Sequence, residues 1–147
     1  MLFRSYKKKD VFFIGRKIDY ASCLEGSLKL KEISYIHSEA YQAGELKHGT
    51  IYLIDRNSVV FCIASDDDIY DKTISNLEEV ISRGATPIYI STKNAKYRNK
   101  IIVPKVHKKL QPLLIVPSLQ LIAYYAAYKR KCSIDKPRNL AKSVTVE

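Results

Sequence analysis

The sequence predicts an α/β protein, a three-layer α/β/α sandwich built around a mainly parallel sheet. Short, continuous apolar runs at residues 10–15, 59–63 and 87–90 indicate strands that are buried on both faces. Segments with helical periodicity separate these runs, and this alternation is typical of a parallel sheet covered by helices. The 147 residues suffice for about one domain with a buried core.

Each element has its own signal along the chain. Gly15 closes the first apolar run, and a loop at residues 16–22 leads into an amphipathic helix followed by a tight loop. Three consecutive aspartates suit the start of the next helix, and Gly84 suits its end. Pro117 is expected to kink the last helix or delay its start. The predicted elements are strands at 10–15, 58–64, 87–90 and 100–103, and helices within 24–49, at 69–83 and at 110–131.

The segment at residues 24–49 concentrates groups that can move protons. Glu25, Lys29 and Glu32 have i, i+4 and i+7 spacing, so they project from one helix face, and His48 follows between two glycines. Such a row is most often a solvated face, because pairs of opposite charge stabilise an exposed helix by roughly 0.2 to 0.5 kcal/mol. The alternative is an active site, in which the row and the histidine face one cavity.

Two long motifs carry a resemblance to a known family. LEGSLKLKEISYIHSEAYQAGELKHGTI and the terminal DKPRNLAKSVTVE closely resemble the C-terminal sugar isomerase (SIS) half of glucosamine-6-phosphate synthase, the isomerising glutamine:fructose-6-phosphate aminotransferase. The resemblance runs from DVFFIGR at Asp10 to Glu147. It implies a SIS fold with a flavodoxin-like layout. It also implies three segments: the end of a linker helix at 1–9, one SIS domain at 10–131, and a tail at 132–147 that lines the isomerase site.

The resemblance also implies roles for individual residues. Lys142 would form a Schiff base with the C2 ketone of open-chain fructose 6-phosphate, and Glu32 would move the proton between C1 and C2. His48 would assist ring opening from the neighbouring subunit of a dimer. The implied catalytic residues are Glu32, His48, Lys142 and the supporting Lys29, and the implied substrate-binding residues are Ala141, Glu25 and Arg138.

Charge, hydropathy and cysteine content indicate which binding partners, location and cofactors to expect. The net charge of +10 is dispersed and no nucleic-acid motif is present, so an anionic sugar phosphate is a better expectation than nucleic acid. No apolar run approaches the ~18 residues of a membrane span, and a cytoplasmic protein is expected. The cysteines lack metal-site spacing and are expected to be reduced thiols, with Cys23 the most exposed. Neither a metal nor a cofactor is expected.

Two departures from the family pattern limit the expected activity. Lys17 stands where the family usually has glycine, so it would crowd a ligand-facing loop or add an anion contact. The family enzyme also has a glutaminase domain and a first SIS repeat whose serine- and threonine-rich loop holds the phosphate, and this chain matches only the second repeat. We therefore expect either half of an isomerase completed by another polypeptide, or a non-catalytic remnant of a split gene. A homodimer with the His48 loop near the interface is expected.

Overall fold

A computed structural model describes residues 10–138, which form a five-stranded parallel sheet between two layers of helices. The strands are β1 (Asp10–Gly15), β2 (His37–Gln42), β3 (Val59–Ile63), β4 (Thr86–Ser91) and β5 (Lys100–Ile102). The helices are α1 (Ile18–Ser34), α2 (Tyr70–Ser82) and α3 (Gln111–Lys129), and short 3₁₀ helices span Ala43–His48, Thr50–Leu53 and Asp67–Ile69.

The strands lie in the order β2-β1-β3-β4-β5, and every neighbouring pair is parallel. This is the order of flavodoxin-like sheets, in which the chain reverses direction across the sheet between the first and third strands. In such sheets, ligands bind in the crevice outside the carboxyl ends of the strands. The predicted three-layer α/β/α sandwich is confirmed.

Two apolar clusters cover the two faces of the sheet. On one face, α1 and α3 pack on side chains that alternate along the strands, including Phe13 and Phe61, whose rings stack at 4.6 Å. On the other face, α2 and the 3₁₀ segments pack on the alternate residues, including Val60 and Tyr89. The central strands β1 and β3 are therefore buried on both sides, as their continuous apolar runs predict.

The prediction of one helix and a tight loop over residues 24–49 is wrong. α1 starts earlier, at Ile18, and ends at Ser34, and Tyr35 follows with a left-handed backbone. The chain then forms the edge strand β2, with sequence HSEAYQ, before the 3₁₀ helix that contains His48. β2 has a single hydrogen-bonded neighbour and mostly exposed or half-buried side chains, so its polar sequence lacks the apolar run of a central strand.

The last helix and Cys23 also differ from expectation. α3 begins at Gln111 and continues through Pro117, so the proline does not delay its start. Pro117 has no N–H to donate to the carbonyl of Leu113, four residues earlier. Leu113 is 68% exposed, so water can donate that hydrogen bond instead. Cys23 is fully buried on the inner face of α1, and Cys132 is the more exposed thiol.

Candidate functional site

The charged row of α1 is formed as its spacing predicts. Lys29 Nζ lies 2.7 Å from Glu32 Oε2 and 3.8 Å from Glu25 Oε1, and all three side chains are between 29% and 37% exposed. The hydrogen bond to Glu32 raises the pKa of Lys29, so this lysine stays protonated and holds a positive charge beside both carboxylates. The row can therefore present a carboxylate to a ligand while a fixed cation neutralises it.

The position of the row in the fold follows from the topology. α1 leaves the carboxyl end of β1 and returns across the sheet so that β2 can run parallel to β1. Glu32 lies in the last turn of α1, and it therefore lies at the end of the sheet that contains the amino termini of the strands. The crevice where ligands of flavodoxin-like sheets bind is at the other end, at the carboxyl termini of the strands.

The last described residue, Arg138, also lies at the amino-terminal end of the sheet. After α3, the backbone N–H of Arg138 donates to Tyr35 Oη at 2.9 Å, and the Arg138 guanidinium lies 4.1 Å above the Tyr35 ring. Tyr35 is three residues beyond Glu32, so Arg138 lies near the end of α1 that carries the row. Ala141 and Lys142 lie outside the described residues.

His48 lies at the carboxyl-terminal end of the sheet. It ends the 3₁₀ helix that follows β2, and its side chain is 75% exposed, with Nε2 3.9 Å from Glu45 Oε2. The six residues of β2 separate the end of α1 from this helix, a distance of about 20 Å at ~3.3 Å per residue. Glu32 and His48 of one chain are therefore not brought together.

A buried polar cluster occupies the crevice between the carboxyl ends of β1 and β3. The carboxylate of Asp19, which is 1% exposed, accepts hydrogen bonds from the backbone N–H of Ser65 at 2.7 Å and of Asp66 at 3.2 Å, and from the Ser65 hydroxyl. Burial raises the pKa of Asp19, and the hydrogen bonds oppose that rise. Asp19 and Ser65 were not predicted as site residues, and Asp66 was predicted only as part of a helix start. The signal that could have found them is an acidic residue in the first turn of a helix after a buried strand at the switch point.

Arg16 closes the side of this crevice. Its guanidinium donates to Asn76 Oδ1, with Nη2 at 2.9 Å, and rests on Gly44, where an added Cβ would lie 2.9 Å from that nitrogen. The loop after β1 is thereby tied to α2 and to the 3₁₀ helix that carries His48. Arg16 thus fixes loops around the crevice and keeps its charge at the carboxyl edge.

The aspartate run next to the crevice is neutralised by lysines. Asp67 contacts Lys93 at 2.9 Å and also contacts Lys105, and Asp68 lies 3.4 Å from Lys108. A cavity of about 120 Å³ lies between this run and the start of α3. Asp66 Oδ1 accepts the N–H of Asp68, so the run caps the 3₁₀ helix Asp67–Ile69 that leads into α2, whereas α2 itself has no side-chain cap.

An open apolar groove lies between α1 and α3. Its volume is about 600 Å³, and its lining combines the Lys29 side chain with Ile33, Pro117, Gln120, Leu121 and Tyr124. Leu121 and Tyr124 are 57% and 44% exposed. The groove therefore adjoins the charged row and presents large apolar side chains to solvent.

Comparison with known proteins identifies the family. Residues 5–130 match the SIS domain family. The chain belongs to this family. The crevice, the charged row and the groove are thus three surface features of one SIS domain, and within residues 10–138 no helix is long and apolar enough to cross a membrane.

This SIS domain is similar in sequence to part of two longer enzymes. The chain is 54% identical over 149 residues to the isomerising glutamine–fructose-6-phosphate aminotransferase of Clostridium tetani, covering 98% of this chain and 24% of that protein. The enzyme of the same name from Clostridium acetobutylicum is 53% identical, with 97% and 24% covered. The chain therefore spans about a quarter of the length of these relatives.

Among solved structures, the C-terminal domain of glucosamine-fructose-6-phosphate aminotransferase from Francisella tularensis matches with a TM-score of 0.86 and 35% identity. That match covers 92% of this chain and 40% of the solved one. A glucosamine-6-phosphate deaminase from Thermotoga maritima matches with a TM-score of 0.72 and 25% identity, covering 97% and 44%. This SIS domain is thus homologous to the isomerase part of the aminotransferase.

Proposed function

We propose that this SIS domain is the isomerase-site half of a glutamine–fructose-6-phosphate aminotransferase. The complete enzyme would convert fructose 6-phosphate and ammonia, released from glutamine, to glucosamine 6-phosphate for amino-sugar synthesis. The observation that carries the proposal is the 53–54% identity to two such enzymes across nearly the whole chain. Because the chain spans only a quarter of those relatives, the complete reaction would also require the parts of them that this chain does not match. A cytoplasmic location belongs to the same proposal.

In this proposal Glu32 is the general base and then the general acid of the isomerisation. A carboxylate can serve in both steps when it lies within hydrogen-bond reach of the transferred proton. Glu32 is 37% exposed, so a substrate can reach it, and Lys29 at 2.7 Å would orient it. Glu25, on the other side of Lys29, would complete the row on the substrate side.

Lys142 is the proposed nucleophile, and the described start of the tail supports this role. Its amine would attack the C2 ketone of the open-chain sugar, lose water and form an imine. Lys142 is four positions after Arg138, which corresponds to at most ~14 Å of extended chain. Because Arg138 contacts Tyr35, three residues beyond Glu32, a chain of this length would allow Lys142 to reach the row. Arg138 would lower the lysine pKa through its charge, and Ala141 would contact the sugar through its backbone.

His48 would act on the site of another subunit. Since the six residues of β2 put about 20 Å between the end of α1 and the 3₁₀ helix that carries His48, we propose that His48 joins Glu32 across an interface. We therefore propose a homodimer in which the 3₁₀ helix with His48 faces the partner's row. The exposed apolar groove beside Lys29 supports association, because exposed apolar patches of this kind mark interaction surfaces. A separate chain with the glutaminase and the first SIS repeat would supply the phosphate site.

The second candidate is a non-catalytic SIS domain left by a split gene. The favouring observation is that, within residues 10–138, the ion pairs of Glu25, Lys29 and Glu32 are with one another, as on an ordinary solvated helix face. In that case, the domain would keep its fold and bind a sugar phosphate at most weakly.

A reconstitution experiment separates the two candidates. The purified chain is mixed with the Clostridium tetani enzyme truncated before its matching C-terminal part, and glucosamine 6-phosphate formation from fructose 6-phosphate and glutamine is measured. We expect activity from the wild-type chain and none from Glu32→Gln. Asp71→Asn is the control, because Asp71 is an exposed carboxylate on α2, which covers the opposite face of the sheet from the row. Near-normal activity of Glu32→Gln would return the row to the solvated-face interpretation.

The isolated chain provides a second test. Even with ammonia in place of glutamine, we expect no turnover, because the sugar phosphate lacks the anchor that orients C2 toward Lys142. Such orientation contributes roughly 7 to 11 kcal/mol, so its loss reduces the rate by many orders of magnitude. Borohydride should trap fructose 6-phosphate on Lys142 poorly in the isolated chain and efficiently after reconstitution. Efficient trapping by the isolated chain would mean that it contains its own phosphate site.

A further inference from the structure

Tyr35 has an uncommon backbone for a bulky residue. It follows the last residue of α1 with φ 55° and ψ 26°, and its N–H donates to Lys31 O at 3.2 Å. Glycine usually occupies this left-handed position after a helix, because a Cβ is disfavoured there. Glycine would adopt this conformation without strain, so the tyrosine points to a role for its side chain.

The side chain of Tyr35 supplies that reason. Its hydroxyl accepts the backbone N–H of Arg138 at 2.9 Å, and its ring lies 4.1 Å below the Arg138 guanidinium. Cys132 Sγ lies 3.9 Å from Ser34 O, a second contact between the same two segments. The residues joined are about a hundred positions apart, so these contacts attach the chain that leaves α3 to the end of α1.

We propose that Tyr35 is a positioning residue that docks the start of the C-terminal segment against the end of α1, next to Glu32. The left-handed backbone directs the ring toward Arg138, and the hydroxyl and ring then hold that residue at two points. This inference rests on the proposed function, in which the segment after Arg138 carries the nucleophile Lys142. Tyr35 itself does not touch the reacting atoms, and it acts by limiting where the segment can begin.

The competing explanation is that the Tyr35–Arg138 contact contributes only to stability. Two substitutions distinguish the explanations. Tyr35→Phe removes the hydroxyl and keeps the ring and the backbone strain. Tyr35→Gly removes both contacts and places the preferred residue in the left-handed conformation, so it should not lower the melting temperature.

Tryptic cleavage after Arg138 reports docking directly, because the protease must take the guanidinium away from the Tyr35 ring. With cleavage elsewhere in the same digest as reference, we expect Tyr35→Gly to accelerate this cleavage at least tenfold and Tyr35→Phe to have a smaller effect. In the reconstituted enzyme, we expect Tyr35→Gly to lower kcat at least tenfold with KM within twofold, and Tyr35→Phe to retain most of kcat.

The outcomes separate this proposal from the function on which it rests. An inactive wild-type reconstitution would refute the proposed function, and the cleavage rate on the chain alone would still decide whether Tyr35 docks the segment. Unchanged cleavage after Arg138 in Tyr35→Gly overturns the docking. In an active reconstitution, a Tyr35→Gly variant with wild-type kcat overturns the positioning role. A loss of kcat matched by a fall in melting temperature also overturns it, because that pattern belongs to a purely structural residue.

Discussion

Lys17→Gly should stabilise this protein, although it deletes a charged side chain. Lys17 precedes α1 with φ 49° and ψ −124°, a region that residues with a Cβ rarely adopt, and its side chain makes no capping hydrogen bond. It also places a positive charge at the positive end of the helix dipole, which is unfavourable. Because the side chain is exposed, we expect the departure from the family glycine to affect the backbone more than the ligand-facing surface.

The magnitude follows from two opposing effects. A non-glycine residue in a sparsely populated backbone region costs about 1 to 3 kcal/mol. Glycine at the same position costs about 0.4 to 1 kcal/mol through the greater freedom of the unfolded chain. The net gain is about 1 kcal/mol in the free energy of unfolding, which corresponds to about 3 °C in melting temperature for a domain of this size.

Thermal and urea unfolding of the two proteins measure this gain, and Lys17→Ala is the matched control. Alanine removes the charge and keeps the Cβ, so it tests the helix-dipole effect alone and should change stability by no more than about 0.5 kcal/mol. An equal gain in both variants would assign the effect to charge. A melting temperature that falls in Lys17→Gly would refute the backbone argument.

Three further predictions concern packing, pH and association. Gly26→Ala should destabilise by about 1 kcal/mol in urea unfolding, because its Cβ would lie 3.0 Å from the buried Leu119 side chain and overpacking outweighs helix propensity. Lysine contacts lower the pKa of Asp67 to about 2, so its stabilising contribution is present above about pH 4 and lost toward pH 2. Asp67→Asn should therefore flatten that acid loss in pH-dependent melting. Leu121→Glu should weaken the proposed homodimer, and light scattering at tens of micromolar that shows only monomer for the wild type would contradict the dimer itself.

The fold was predictable where burial is symmetrical and not where it is one-sided. β1, β3 and β4 carry continuous apolar runs because helices cover both of their faces, and these strands are found where predicted. β2 pairs on one side only, and its polar sequence contains a histidine and a glutamate. Nothing in its periodicity separates it from the preceding helix. The left-handed residue that ends α1 is a tyrosine, so the usual glycine signal for a helix end was also missing.

The candidate site divides in the same way. The mutual pairing of Glu25, Lys29 and Glu32 follows from helical spacing and was predictable, because it depends on one element alone. The distance between Glu32 and His48 was not, since it depends on the unpredicted strand between them. The contact of Arg138 with Tyr35 joins residues 103 positions apart, and no local pattern encodes such a contact.

The strand that the sequence concealed also determines how this domain could work. If residues 24–49 formed one helix and a tight loop, Glu32 and His48 could meet within one chain, and a monomer could contain the complete proton-transfer pair. β2 places His48 at the opposite end of the sheet from Glu32, so a site that contains both residues requires two chains. In the reconstituted enzyme, Glu32→Gln and His48→Asn chains should each be inactive alone, yet mixing them should restore about a quarter of wild-type activity, because half of the dimers are then mixed and each has one intact site. No recovery in mixtures that demonstrably exchange subunits would place His48 outside the partner's site.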